Sequence, residues 1–217
     1  MRILLVRHGQ TTSNVDGALD TEVPGAGLTD LGREQAAALV DVLGGEPLRA
    51  IHVSSLIRTQ QTAAPLAAAL GLEVVVRDGV REIRAGDLEM RTDEPSVKTY
   101  LETVLAWTRG ELDVRMPGAE SGAEVLARFD AVVAEILASG AELALIVSHG
   151  AMIRCWTACR SSNVGSDFVA QNPLGNTGTV VVEGDAAGWR VLTWEGRTVA
   201  PEQASPPATE GPTSRRV

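Results

Sequence analysis

Ile-Leu-Leu-Val-Arg-His-Gly at residues 3–9 and Ala-Leu-Ile-Val-Ser-His-Gly at residues 144–150 share one pattern: four aliphatic residues run straight into x-His-Gly. The chain has only three histidines, and two of them stand in this setting. A short aliphatic run stopped by glycine reads as a strand buried on both faces, as in a sheet covered by helices. Similar runs occupy residues 50–53, 73–76 and 143–147, with later ones near 177–183 and 189–194, and helical patterns separate them. The alternation predicts an α/β fold, a three-layer α/β/α sandwich with a mostly parallel sheet. Thr29 is placed to cap a helix through Glu34, Leu39 and Val42 to the stop at Gly44-Gly45. Ser121 and Glu124 form the S-x-x-E capping box of another, through Phe129 and Ile136 to Gly140. Pro65, inside an Ala-rich helical stretch, is expected to kink that helix or divide it in two.

Length and composition narrow the class. With 217 residues, 44% of them hydrophobic, the chain can furnish the core of one domain, taken as residues 1–200. Residues 201–217 hold four of the ten prolines and no aliphatic periodicity, which predicts a disordered tail. Aromatic residues make up 3%, so the core must be aliphatic, and a formal charge of -9 disfavours nucleic acid as a partner. The apolar run at residues 3–6 is cut short by Arg7 and His8, and no run approaches the ~20 apolar residues of a membrane span, so neither a secretory signal nor a membrane is expected. Cys155 and Cys159 are too few for a disulfide framework or a four-cysteine zinc site, and read as small buried thiols in a reducing compartment. The expected location is cytoplasmic.

In a parallel sheet the C-terminal ends of the strands share one edge, and the loops leaving it form the usual ligand crevice. His8 and His149 then converge there with Arg7. Arg58 follows the strand at 50–53 after a Ser54-Ser55 turn, at the start of a helix, where backbone N–H groups favour an anion. Glu82 lies just beyond the strand at 73–76. Two arginines suit a phosphate dianion, and their charge disfavours the imidazolium form of a neighbouring histidine, leaving a neutral ring nitrogen able to attack phosphorus. A carboxylic acid such as Glu82 can protonate the leaving oxygen and later activate water. Because arginines supply the positive charge, no metal is called for. Gly25-Ala26-Gly27 lacks the third glycine and the preceding strand of a dinucleotide fingerprint, and no P-loop lysine motif occurs, so no nucleotide cofactor is expected. His52 matches none of these settings and reads as structural.

The ordered set of motifs resembles the histidine phosphatase superfamily, the phosphoglycerate mutase-like fold. It comprises Arg7-His8-Gly9-Gln10-Thr11 with Asn14, Leu28-Thr29-Asp30-Leu31-Gly32 with Gln35-Ala36, and Ser54-Ser55 with Arg58 and Gln61-Thr62-Ala63. It continues through Arg81-Glu82 with Gly86-Asp87, Gly118 with Glu120-Ser121, and Ser148-His149-Gly150. The resemblance implies that His8 is the phosphorylated nucleophile, Glu82 the proton donor, and Arg7, Arg58 and His149 the phosphate pocket, with Asn14 and Asn176 as supporting phosphate contacts. It implies no cofactor, and a small phosphorylated substrate as partner. Leu88-Glu89-Met90 and Gly118-Ala119-Glu120-Ser121 depart from the family's usual aromatic-Glu-Gly and Gly-Gly-Glu-Ser. Both lie by residues 84–117, expected to fold over the site as a cap and to shape the substrate pocket. Glu89 and Glu120 could either hydrogen-bond the site loops or simply be solvated. Leu88, Met90, Tyr100 and Trp107 could line the pocket or pack the cap. The expected activity is a metal-independent phosphomonoesterase acting through a phosphohistidine. A phosphoglycerate mutase and a non-catalytic phospho-ligand sensor or scaffold are the alternatives, and a homodimer is left open.

Overall fold

The computed structural model describes residues 1–200, so the expected disordered tail, residues 201–217, lies outside the described residues. Among the described residues the strands are β1 (Arg2–Arg7), β2 (Ala50–Val53), β3 (Val74–Val76), β4 (Leu143–Ser148), β5 (Thr179–Asp185), β6 (Gly188–Trp194) and β7 (Arg197–Thr198). The helices are α1 (Thr12–Asp16), α2 (Asp30–Leu43), α3 (Ile57–Leu70), α4 (Glu94–Thr108), α5 (Gly122–Ala138), α6 (Gly150–Arg160) and α7 (Ser166–Gln171). Short 3₁₀ turns stand at Asp78–Val80 and Gly86–Leu88. None of these helices is long and apolar enough to cross a membrane.

One sheet runs in the order β3-β2-β4-β1-β5-β6-β7. Its β3-β2-β4-β1 half is parallel, and β5, β6 and β7 extend it antiparallel. β6 must run antiparallel to β5, because β5 ends at Asp185 and β6 starts at Gly188, far too close for the crossover that a parallel pair requires. Side chains alternate across the central strands into two cores. Leu4 and Val6 of β1 join Leu145 and Val147 of β4 under Leu39, Leu43, Ala63 and Leu66 of α2 and α3. Ile3, Leu5, Ala144 and Ile146 face the other way, onto Phe129 and Ile136 of α5 and Trp156 of α6. Continuous apolar strands are what two covered faces demand.

The anticipated caps are in place. Thr29 Oγ1 accepts from Gly32 N at the start of α2, and Ser121 and Glu124 form both bonds of the capping box. Contrary to the expected division, α3 runs unbroken through Pro65. Proline forfeits one backbone bond there, while Thr59, Thr62, Ala63, Leu66 and Ala67 bury a continuous face that holds the turns on either side together. Thr177 falls outside β5 because it takes a left-handed backbone, φ 55°, while its N–H reaches Arg7 O at 3.0 Å.

Candidate active site

The central pair of strands positions the two histidines. β1 and β4 run in parallel with Arg7 opposite Ser148, so the next residues of each strand end side by side, and His8 N–H donates to Ser148 O at 3.0 Å. The His8 and His149 rings lie 5.2 Å apart between centroids at 59°. Behind them the turn Gly9-Gln10 rests on the start of α2. A Cβ on Gly9 would stand 2.6 Å from Gly32 O, and one on Gly32 would stand 2.1 Å from Gln10 O, so only glycine permits this backbone-to-backbone approach.

A cavity of about 230 Å³ opens beside His8. Arg7, His8, Asn14, Arg58 and Glu82 line it, joined by Asp20, Tyr100 and Arg154. His149 and Asn176 are not on that wall. His149 is fully buried behind His8, and Asn176 Nδ2 donates to His8 O and to Asn14 Oδ1, both at 3.1 Å. Asn14 Oδ1 also accepts from Thr11 N at 3.2 Å, which leaves the Asn14 amide nitrogen for a ligand. A larger cleft of about 610 Å³, lined by Met1, Leu43, Glu142 and Thr193, contains none of the candidate residues. The chemistry therefore belongs to the smaller cavity.

Its polar groups are left in need of an anion. Arg7 Nη1 donates to Leu174 O at 2.7 Å and Arg58 Nη2 to Asp20 O at 2.9 Å, yet Arg7 Nε, Arg58 Nε and Arg58 Nη1 are buried without a hydrogen-bond partner. Buried donors are almost always satisfied, so a cluster of orphans on two cations marks a place for a multivalent acceptor. Asp20 Oδ2 lies 3.6 Å from Arg58 Nη1 and balances part of that charge. Burial pushes both guanidinium groups below their ordinary pKa, Glu82 partly offsetting this for Arg7 and Asp20 chiefly for Arg58.

The same surroundings hold both imidazoles neutral. Burial, then the charges of Arg58 and Arg7, push His8 well below its ordinary 6.5, although its bond to Gly9 O works the other way. His149 is pushed down likewise by burial, then by Arg58 and His8. A neutral His8 ring that donates Nδ1–H to Gly9 O at 2.7 Å carries its lone pair on Nε2. His149 Nε2 meets Ser54 Oγ at 2.7 Å, and its buried Nδ1 has no partner. Glu82 closes the far side. Its carboxylate accepts from Ile83 N at 2.9 Å and, across the first turn of α6, from Met152 N at 3.0 Å and Ala151 N at 3.2 Å.

A family model described as histidine phosphatase superfamily (branch 1) matches residues 3–196. The chain belongs to that superfamily. The enzyme class that goes with it is phosphatase. Among its relatives, a glucosyl-3-phosphoglycerate phosphatase of Mycobacterium tuberculosis is 31% identical over 89% of this chain and 93% of its own length. A PE-PGRS family protein of the same species is 39% identical over 90% of this chain, which spans only 36% of that larger protein. A solved structure of mycobacterial glucosyl-3-phosphoglycerate phosphatase in complex with VO3 superposes with a TM-score of 0.75 at 30% identity, covering 89% of this chain and 98% of the other.

Several residues that shape the site of this histidine phosphatase are not evident from strand ends. Arg154 lies on α6, one helical turn past His149, and reaches the cavity with its Nε and Nη2 bonded to Val169 O. Arg128 on α5 donates to Gly79 O at 2.8 Å, Arg81 O at 2.9 Å and Glu82 O at 3.1 Å, and pairs with Glu120 at 2.8 Å. It thereby fixes the backbone that carries Glu82. Glu120 and Glu89 resolve as hydrogen-bonding residues rather than solvated charges. Glu89 accepts from Thr21 N, Thr21 Oγ1 and Glu22 N and pins the loop beside Arg58. Of the four apolar residues by the cap segment, Tyr100 lines the cavity and donates its hydroxyl to Ile83 O. Trp107 is fully buried, Leu88 packs partly buried against the core, and Met90 is exposed. A helical position such as 154 or 128 reveals itself only when the helix is docked.

Proposed function

We propose that this protein hydrolyses a small phosphate monoester through a phosphohistidine on His8, without a metal. The observation that carries the reading is the set of buried, unpartnered donors on Arg7 and Arg58 facing a neutral His8 with its lone pair on Nε2. Arg7, Arg58 and the Asn14 amide hold the phosphoryl oxygens. His149, bonded to Ser54 Oγ through Nε2, backs His8, and Asn176 braces Asn14 and His8 from behind. His8 Nε2 attacks phosphorus, the ester P–O bond breaks, and the Glu82 carboxyl gives its proton to the leaving alkoxide. The resulting Glu82 carboxylate takes a proton from a water whose oxygen attacks the phosphohistidine. The P–N bond breaks, phosphate departs, and His8 is again neutral. Cations placed where negative charge gathers do the electrostatic work in a site with little water. The cap segment 84–117, which supplies Tyr100 and Leu101 to the wall, shapes the space for the leaving group.

The test is phosphate release from p-nitrophenyl phosphate in the presence of EDTA, comparing the protein with His8→Ala. Activity lost in the variant and indifferent to EDTA supports the proposal. Equal activity in both proteins would remove His8 from the mechanism.

A further inference from the structure

Beside the phosphate cavity lies a second hollow of about 190 Å³ between α4, α6 and α7. Leu101, Val104 and Leu105 of α4, Ala151 and Cys155 of α6 and Val169 of α7 form most of its wall. Leu101, Ala151 and Arg154 line both spaces, so the two adjoin at that threshold. Most polar groups at its edge are already engaged. Thr108 Oγ1 is bonded to Leu105 O at 2.7 Å and to Ser166 Oγ at 3.0 Å, and Arg154 spends Nε and Nη2 on Val169 O. A sugar or polyol entering this hollow would bury hydroxyls without partners, whereas an alkyl chain would lose only water.

Resting on the phosphatase reading, we propose that the α4-α6-α7 hollow is the leaving-group subsite and that it selects phosphate esters of apolar alcohols of about six carbons. The size follows from comparison with a dry protein cavity of about 150 Å³ that accepts benzene. The phosphate sits on Arg7 and Arg58, and the alcohol carbon chain crosses between Leu101 and Ala151 into the hollow. Arg154, tied to Val169 O, stands at the threshold between the two spaces. Selectivity therefore arises in the helices, away from the groups that break the bond.

The experiment is a series of straight-chain monoalkyl phosphates from ethyl to octyl, assayed for phosphate release. All are esters of primary alcohols, so leaving-group chemistry is constant and only chain length varies. Each methylene that becomes fully buried is expected to raise kcat/KM about fourfold. The expected result, with all four added methylenes buried, is a gain of about 250-fold from ethyl to hexyl and a plateau beyond. Ala170→Phe, at the exposed rim, should flatten the series, and Leu105→Ala, which enlarges the hollow, should move the plateau to longer chains. Turnover that is independent of chain length, or a series that neither substitution alters, overturns the subsite while leaving the phosphatase reading standing. No phosphate release from any ester overturns the phosphatase reading beneath it.

Discussion

Acidification provides a stringent test of the buried histidine pair. His8 and His149 are neutral in the fold because burial and neighbouring arginines push them well below 6.5, whereas in the unfolded chain each titrates near 6.5. The unfolded state therefore gains protons first as pH falls, and stability that is complete above about pH 6.5 declines below it. A site whose folded pKa lies below the window costs about 1 kcal/mol at one unit below 6.5, so moving from pH 7.5 to 5.5 should remove about 2–3 kcal/mol through the pair. Against a typical total of 5–15 kcal/mol this is a large fraction. His52, also pushed down by burial, acts in the same direction. The carboxylates held low by arginine, among them Glu135 beside Arg77 and Glu183 between Arg2 and Arg190, lose their contribution only below their ordinary 4.5 and stay out of this window. Urea unfolding followed by tryptophan fluorescence at both pH values measures the loss. His8→Asn, neutral at any pH, should reduce it by about half. Equal losses in both proteins, or no loss in either, would refute the neutral buried pair.

Glu82→Gln should lower turnover of alkyl phosphates by about 10²–10⁴-fold, while p-nitrophenyl phosphate, whose leaving group needs no proton, still phosphorylates His8. Acid-labile phosphoenzyme trapped with that substrate checks the split. Ser54→Ala removes the hydroxyl that holds the His149 ring through Nε2 and should lower kcat about tenfold, with the far-ultraviolet circular dichroism unchanged. Arg128→Ala should unfix the Glu82 backbone and lower kcat by about 10²-fold with little change in KM, whereas Arg128→Lys, keeping the charge beside Glu120, should recover part of it. Steady-state kinetics on a single alkyl ester reads both of the latter.

What was legible in the sequence was whatever depends on local pattern. The apolar runs at residues 3–6 and 143–147 could be placed because these strands, buried on both faces, hold no polar residue to blur them, and x-His-Gly at two such ends located His8 and His149. The Ser121–Glu124 capping box marked the start of α5 for the same reason, being complete within four residues. Position relative to other elements was not legible. The antiparallel edge depends on how β5 returns along β1, and the reach of Arg154 and Arg128 depends on how α6 and α5 rest on the sheet. Glu89 and Glu120 resemble any surface acid until Thr21 and Arg128 are brought beside them. The unbroken α3 shows the opposite error, a strong local signal at Pro65 overruled by the buried face around it.

The placement of β1 at the middle of the sheet also governs how the chain is made. Of the seven strands it is synthesised first, yet its two neighbours are β4 and β5, both far down the chain. Until Leu143–Ser148 has been synthesised, an apolar strand with two open edges, carrying Arg7 and leading into His8, must wait unpaired, a state that invites association with other nascent chains. Folding of the site is thus tied to synthesis of β4, and any fragment that stops short of β4 holds His8 with no strand to set it against.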